Sequence, residues 1–163
     1  MRTFRPQREI PTIMDESVQI RLFTGASSVM EKFLEGDLDK AFSGFREDFR
    51  FSDPQGIFRN DILFFHRFLK HLESSPEYHF RWKMRRYEGN DIEAAIYFSR
   101  KGESVPIKEV TIMAWVYMPT PTHASRLSLD YDPAAIITEL SEGRVAAMRN
   151  RLRYKMGRYT LEF

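Results

Sequence analysis

Residues 79–100 read HFRWKMRRYEGNDIEAAIYFSR, and the alternation inside this stretch decides the fold class. Phe80, Trp82 and Met84 alternate with Arg81, Lys83 and Arg85. An extended chain of this pattern is apolar on one face and positive on the other. Gly89-Asn90-Asp91 is a tight hairpin signal, and the run that follows is again rich in Ile, Tyr, Phe and Ala. Two further strands are predicted over residues 107–118 and 124–131, set apart by Lys101-Gly102 and by Pro119-Thr120-Pro121. The four strands form an antiparallel meander.

Upstream of the meander the period changes from two to three and four. Val18, Leu22, Val29, Phe33 and Leu34 mark a helix that Gly25 is expected to divide and Gly36 to close. Asp37 caps a short helix with Leu38, Ala41, Phe42 and Phe45 on its apolar side. Phe49-Arg50-Phe51-Ser52 is a short strand that ends in the turn composition Asp53-Pro54-Gln55-Gly56. A third helix follows, with Phe58, Ile62, Phe65, Leu69 and Leu72 on one face, and Ser74-Ser75-Pro76 ends it. Downstream of the meander, Asp132-Pro133 opens a helix to about Ser141, and a basic helix spans about 144–156. Residues 1–14, with Pro6 and Pro11, read as an extended arm. Helices first and strands afterwards is an α+β order, with the helices on one side of the sheet. Long strands that must enclose those helices curve, which predicts a cone. The domain reading is an arm over 1–14, the cone over 15–142, and a basic helix and tail over 143–163.

Composition sets the outer limits. The chain has 163 residues, 42% of them hydrophobic and 29% charged, the balance of one globular domain. Fourteen phenylalanines predict a strongly aromatic core. The absence of cysteine excludes disulfides and thiolate chemistry. No apolar run reaches membrane-spanning length and the first residues lack a signal-peptide pattern, so a cytoplasmic protein without a membrane partner is expected. A net charge of +2 is too small to imply nucleic acid unless the cations cluster. No His, Asp or Glu grouping has metal-ligand spacing, so neither metal nor other cofactor is expected.

Gly36-Asp37-Leu38-Asp39, then Phe49-x-Phe51-x-Asp53-Pro54-x-Gly56, then Ile62 in an aromatic helix, resembles the N-terminal half of the ketosteroid isomerases and the wider SnoaL-like group of the nuclear-transport-factor-like cone fold. Glu93-Ala94-Ala95 resembles the family's strand after its first hairpin, and the likeness covers about residues 20–132. It implies a small-molecule pocket between the curved sheet and the helices. It also implies that Asp53 stands where those isomerases hold the base that moves a proton beside a carbonyl. Their oxyanion hole is not matched: its tyrosine falls near Val29 and its acid near Met113. Steroid isomerisation is therefore not expected, and fold alone does not supply a reaction.

The candidate catalytic residues are Asp53 and Asp130. Asp53 is either a pocket acid or base or the initiator of the turn before the third helix. Asp130 alternates with Leu127, Leu129 and Tyr131; it either lines the cone and pairs with Asp53, or is solvated on the other face. Met113, Trp115 and Tyr117 share one strand face, which the family register turns into the cone beside Ala94, Ile96 and Phe98. They form either core or an aromatic ligand site, with Trp115 and Tyr117 as its polar handles. His66, at the edge of the third helix's apolar face, completes the ligand-binding candidates. Ala95, Tyr97, Ile112 and Val116 are assigned to the outer sheet face, whose apolar character predicts a homodimer. Two functions stay open. One is a pocket for a small apolar or aromatic molecule, with Asp53 serving an isomerase, cyclase or dehydratase step. The other is a non-catalytic binding or assembly module whose basic surface meets a partner protein or nucleic acid.

Overall fold

The computed structural model describes residues 15–102 and 109–163. The expected arm and the first residues of the third meander strand lie outside these. Helix α1 (Glu16–Glu35) starts at Asp15, whose carboxylate accepts from the Ser17 amide, and ends at Gly36. Gly25 does not divide it. A Cβ at this position would lie 1.8 Å from the carbonyl oxygen of Pro121, so the glycine lets a later loop press directly on the helix. Helix α2 (Leu38–Ala41) is capped by Asp37, and strand β1 (Phe45–Ser52) takes in Phe45, which the sequence reading left on the helix. Helix α3 (Ile62–Ser74) begins only at its cap Asp61, so Phe58 belongs to the preceding turn.

Strands β2 (Tyr78–Glu88), β3 (Asp91–Arg100), β4 (Val110–Tyr117) and β5 (Ala124–Tyr131) form the expected antiparallel meander. Helices α4 (Pro133–Leu140) and α5 (Gly143–Lys155) follow it. The curved sheet is mixed and open, in the order β1-β5-β4-β3-β2, because β1 joins β5 in parallel.

Helices α1 and α3 pack against one face of this sheet. There Ile92, Ala94 and Ile96 of β3 stand opposite Val116, Ala114 and Ile112 of β4, all fully buried. Ile112 and Val116 therefore belong to the core, correcting their assignment to the outer face. Met113, Trp115 and Tyr117 point the other way and are half-buried. The reversal has a physical reason. Both alternating sets of β4 are apolar, but the bulky amphipathic set includes Thr111, while the smaller aliphatic set meets Leu127, Leu129 and Tyr131 across β5. Those three are inward-facing and buried, which fixes the face of every β4 residue paired with them.

Candidate functional site

The turn between β1 and α3 is built around Asp53, which is 1% exposed. Gly56, at φ +78°, closes it by donating its amide to the Asp53 carbonyl at 3.0 Å, a conformation that suits glycine. One carboxylate oxygen of Asp53 accepts the Gly56 amide at 3.2 Å and the hydroxyl of Tyr131. The other accepts the Phe58 amide at 2.6 Å. The Asp53 amide in turn donates to the side chain of Asn60 at 2.7 Å, in a segment where Arg59 and Asn60 are both left-handed. Tyr131 also accepts the Ile57 amide at 3.1 Å. Burial, and then its bond to the Asp53 carboxylate, push the Tyr131 hydroxyl far above its usual range, so it remains a donor. A general base needs a lone pair turned towards a substrate proton. Here three donors hold the carboxylate to the turn and it has almost no exposed surface.

The remaining candidates do not converge on Asp53. Asp130 is exposed on the opposite sheet face and accepts from Gln55 at 3.1 Å, which decides for the solvated alternative. Met113, Trp115 and Tyr117 share that outer face, so the inward placement drawn from the family register is corrected for all three. Phe98 is inward and buried as expected, edge-on to Phe68 at 5.8 Å. His66 is buried between Phe33 and Phe42, with ring centroids at 5.4 and 5.9 Å, and its Nε2 has no hydrogen-bond partner. Burial, reinforced by the charge of Lys70, lowers its pKa below the usual histidine value. Among the described residues, no group of three or more His, Asp or Glu could hold a metal ion.

No protein-family model and no curated protein matches this sequence. Solved structures do match by shape. An NTF2-like protein of unknown function from Burkholderia pseudomallei superposes with a TM-score of 0.51 at 14% identity, over 75% of this chain and 98% of its own. A protein named for the SnoaL-like polyketide cyclases, from Jannaschia sp. CCS1, superposes with a TM-score of 0.50 at 14% identity, over 80% of this chain and 98% of its own. The chain has the SnoaL-like, NTF2-like fold. At such identities the likeness concerns the fold and not the chemistry.

Within this fold the chain's own rings pack between the sheet and the helices. Phe58 packs on Phe65 at 4.7 Å, on Phe68 at 5.0 Å and on Tyr131 at 5.3 Å. The C-terminal segment closes over them: Leu161 is buried in the core, and Phe163 packs on Phe64 and Phe68 at 5.1 and 5.9 Å. Tyr154 of α5 donates its hydroxyl to the Gln55 carbonyl at 2.6 Å, laying the helix across the Asp53 turn. On the far side of Tyr154 an open cleft of about 470 Å³ runs between α4 and α5. Pro133, Ala134, Met148, Leu152 and Tyr154 line it together with Asp132, Arg151 and Lys155.

Sequence reasoning missed Tyr131 and Tyr154 as partners of this turn. Tyr131 alternates with Asp130 and shares a face with Leu127 and Leu129, so a polar ring on an otherwise apolar face was a usable sign that a buried acceptor waits there. It also passed over Glu93, which is 2% exposed although it stands on the outer sheet face. Arg86 holds Glu93 at 3.1 Å and Arg85 approaches it at 3.8 Å. Two arginines shortly before a hairpin and a glutamate shortly after it were the available signal.

Proposed function

We propose that the protein is a non-catalytic binding module that takes a small, largely apolar or aromatic molecule at the rim of its cone, in the cleft between α4 and α5. The cleft carries this reading. Its volume lies within the few hundred to a thousand Å³ typical of ligand sites, and its lining is apolar with a few charged groups. Arg151 and Lys155 favour a ligand that bears a negative group. An isomerase, cyclase or dehydratase step at Asp53 would require that carboxylate to leave Phe58 and Tyr131 and reach a substrate through packed phenylalanines. The test uses an aromatic sulfonate, 8-anilinonaphthalene-1-sulfonate, titrated by fluorescence against the parent and Ala134→Trp. Saturable binding that the tryptophan abolishes supports the cleft; equal binding by both proteins overturns it.

A second observation favours homodimer assembly through the outer sheet face. Ala95 and Tyr97 are buried there, Met113, Trp115 and Tyr117 are half-buried, and the Glu93 cluster lies among them. Arg81 stacks over Tyr97 at 4.0 Å and Arg86 over Trp115 at 5.4 Å, so the cations are held flat against rings. A second copy of such a face would cover apolar surface with ion pairs already formed beneath it. Sedimentation of the parent and of Met113→Asp tests this: a dimer that the aspartate splits is expected, and a concentrated parent that remains monomeric overturns it.

A further inference from the structure

Helix α5 is apolar on two sides, and only one of them packs into the domain; the other is exposed, with Met148 and Leu152 at the edge of the cleft. Ala147 and Tyr154 pack inward, while Val145, Met148, Leu152 and Met156 form a stripe on the opposite side, at 77, 56, 54 and 60% exposure. At 1.5 Å per residue the stripe runs for about 17 Å. The helical sequence GRVAAMRNRLRYK contains no acid. At about 100° per residue, Arg149 and Arg153 flank the stripe on one side and Arg144, Arg151 and Lys155 on the other. All five cations are exposed.

We propose that α5 lies on an anionic lipid surface, with the stripe in the acyl boundary and the flanking cations on lipid phosphates. Charge argues for this occupant. Two copies of the stripe would bring five cations against five, so self-pairing through α5 is opposed, and an anionic partner is required. Shape argues for a surface rather than a groove, because Val145 and Met156, the most exposed residues of the stripe, stand opposite the packed side, with cations on both flanks. Long cationic side chains splay from such a stripe to headgroups while the apolar ones enter the interface. Among the described residues no helix is long and apolar enough to cross a membrane. Docking at the surface needs no such helix, and this revises the expectation of no membrane partner. The stripe shares Met148 and Leu152, and its flank Arg151 and Lys155, with the ligand cleft; Val145, Arg149, Arg153 and Met156 do not line it, and the variants that test the inference are confined to these four.

The experiment is flotation of the full chain with phosphatidylcholine vesicles, with and without about 30% phosphatidylserine, at about 0.1 M salt. The protein is expected to float only with the anionic vesicles. Val145→Asp with Met156→Asp, and separately Arg149→Glu with Arg153→Glu, should each lower binding at least tenfold, since each cation near the surface is worth about fivefold. All four residues are exposed, so unchanged melting shows that the variants fold. Equal flotation with neutral vesicles, or parent-like flotation of either double variant, overturns the proposal. Capture by calcium-loaded calmodulin, an acidic protein with an apolar groove, in the absence of vesicle binding overturns it in favour of a protein partner. Ala134→Trp should float like the parent whether or not it binds the sulfonate, which separates a failure here from a failure of the cleft.

Discussion

The two faces of β3 and β4 are made by alternate residues of the same strands, yet they are different materials. On the inner face Ala94, Ile96, Ile112, Ala114 and Val116 are fully buried by helices and by each other. On the outer face Glu93, Ala95 and Tyr97 reach similar burial with no helix above them among the described residues, Glu93 held by Arg85 and Arg86 and Tyr97 lying under Arg81. Burial alone therefore does not identify the core of this protein. The inner face is buried in a dry, packed way, whereas the outer face is screened by long side chains that a partner could replace or overlie.

Four experiments sharpen this contrast, the largest expected effect first. Val116→Asp places an unpaired charge in the dry face and should prevent folding, by about 4 kcal/mol or more. Circular dichroism and melting would register this, and a stable Val116→Asp protein would break the distinction between the faces. Asp53→Ala strands the amides of Gly56 and Phe58 and the Tyr131 hydroxyl, and should cost about 3 kcal/mol in denaturant titration. Asp53→Asn should cost less, about 1–2 kcal/mol, because one of its two terminal atoms is a donor facing another donor. A catalytic Asp53 would instead give an asparagine variant of near-parent stability. Met113→Asp, three residues before Val116 on the same strand but on the outer face, should leave the melting temperature of the monomer nearly unchanged and act only on association.

The smallest effect concerns pH. His66 is held neutral by burial, so its folded pKa lies below its usual 6.5 while the unfolded chain keeps that value. Above pH 6.5 both states are neutral and the contribution is fully present. As pH falls below that value the unfolded state takes up the proton first, and stability declines until the lowered folded pKa is passed. Replacing His66 with leucine should flatten this part of the stability profile. An unchanged slope would mean that the ring is not the group responsible.

The order of helices and strands was legible because each has its own period: three and four residues before Ser74, two after Tyr78. Asp53 as the head of a turn was legible from Asp-Pro-x-Gly, but its third ligand was not, because Tyr131 lies 78 residues away. The face of β4 was misread because a family register was applied to a strand with two apolar alternations. The fixed pairing with Leu127 and Leu129 overrides it. The parallel addition of β1 left no local mark, since strand direction within a sheet is set by the path of the whole chain. The closing of the cone by Leu161 and Phe163 was unreadable for a similar reason: a few tail residues carry no periodicity.

That parallel pairing also governs time. β1 finds its partner β5 across most of the domain, with Phe51 beside Leu127, while β2 to β5 are joined successively by short connections. Contacts this distant in sequence form slowly, because a large loop must close before any bond compensates for it. The meander and its helices can therefore assemble while β1 is still searching, and the Asp53 turn acquires Tyr131 only when that search ends. In pulsed hydrogen exchange, the amides of Gly56 and Phe58 should gain protection with β1, in the last phase, well after those of β3 and β4.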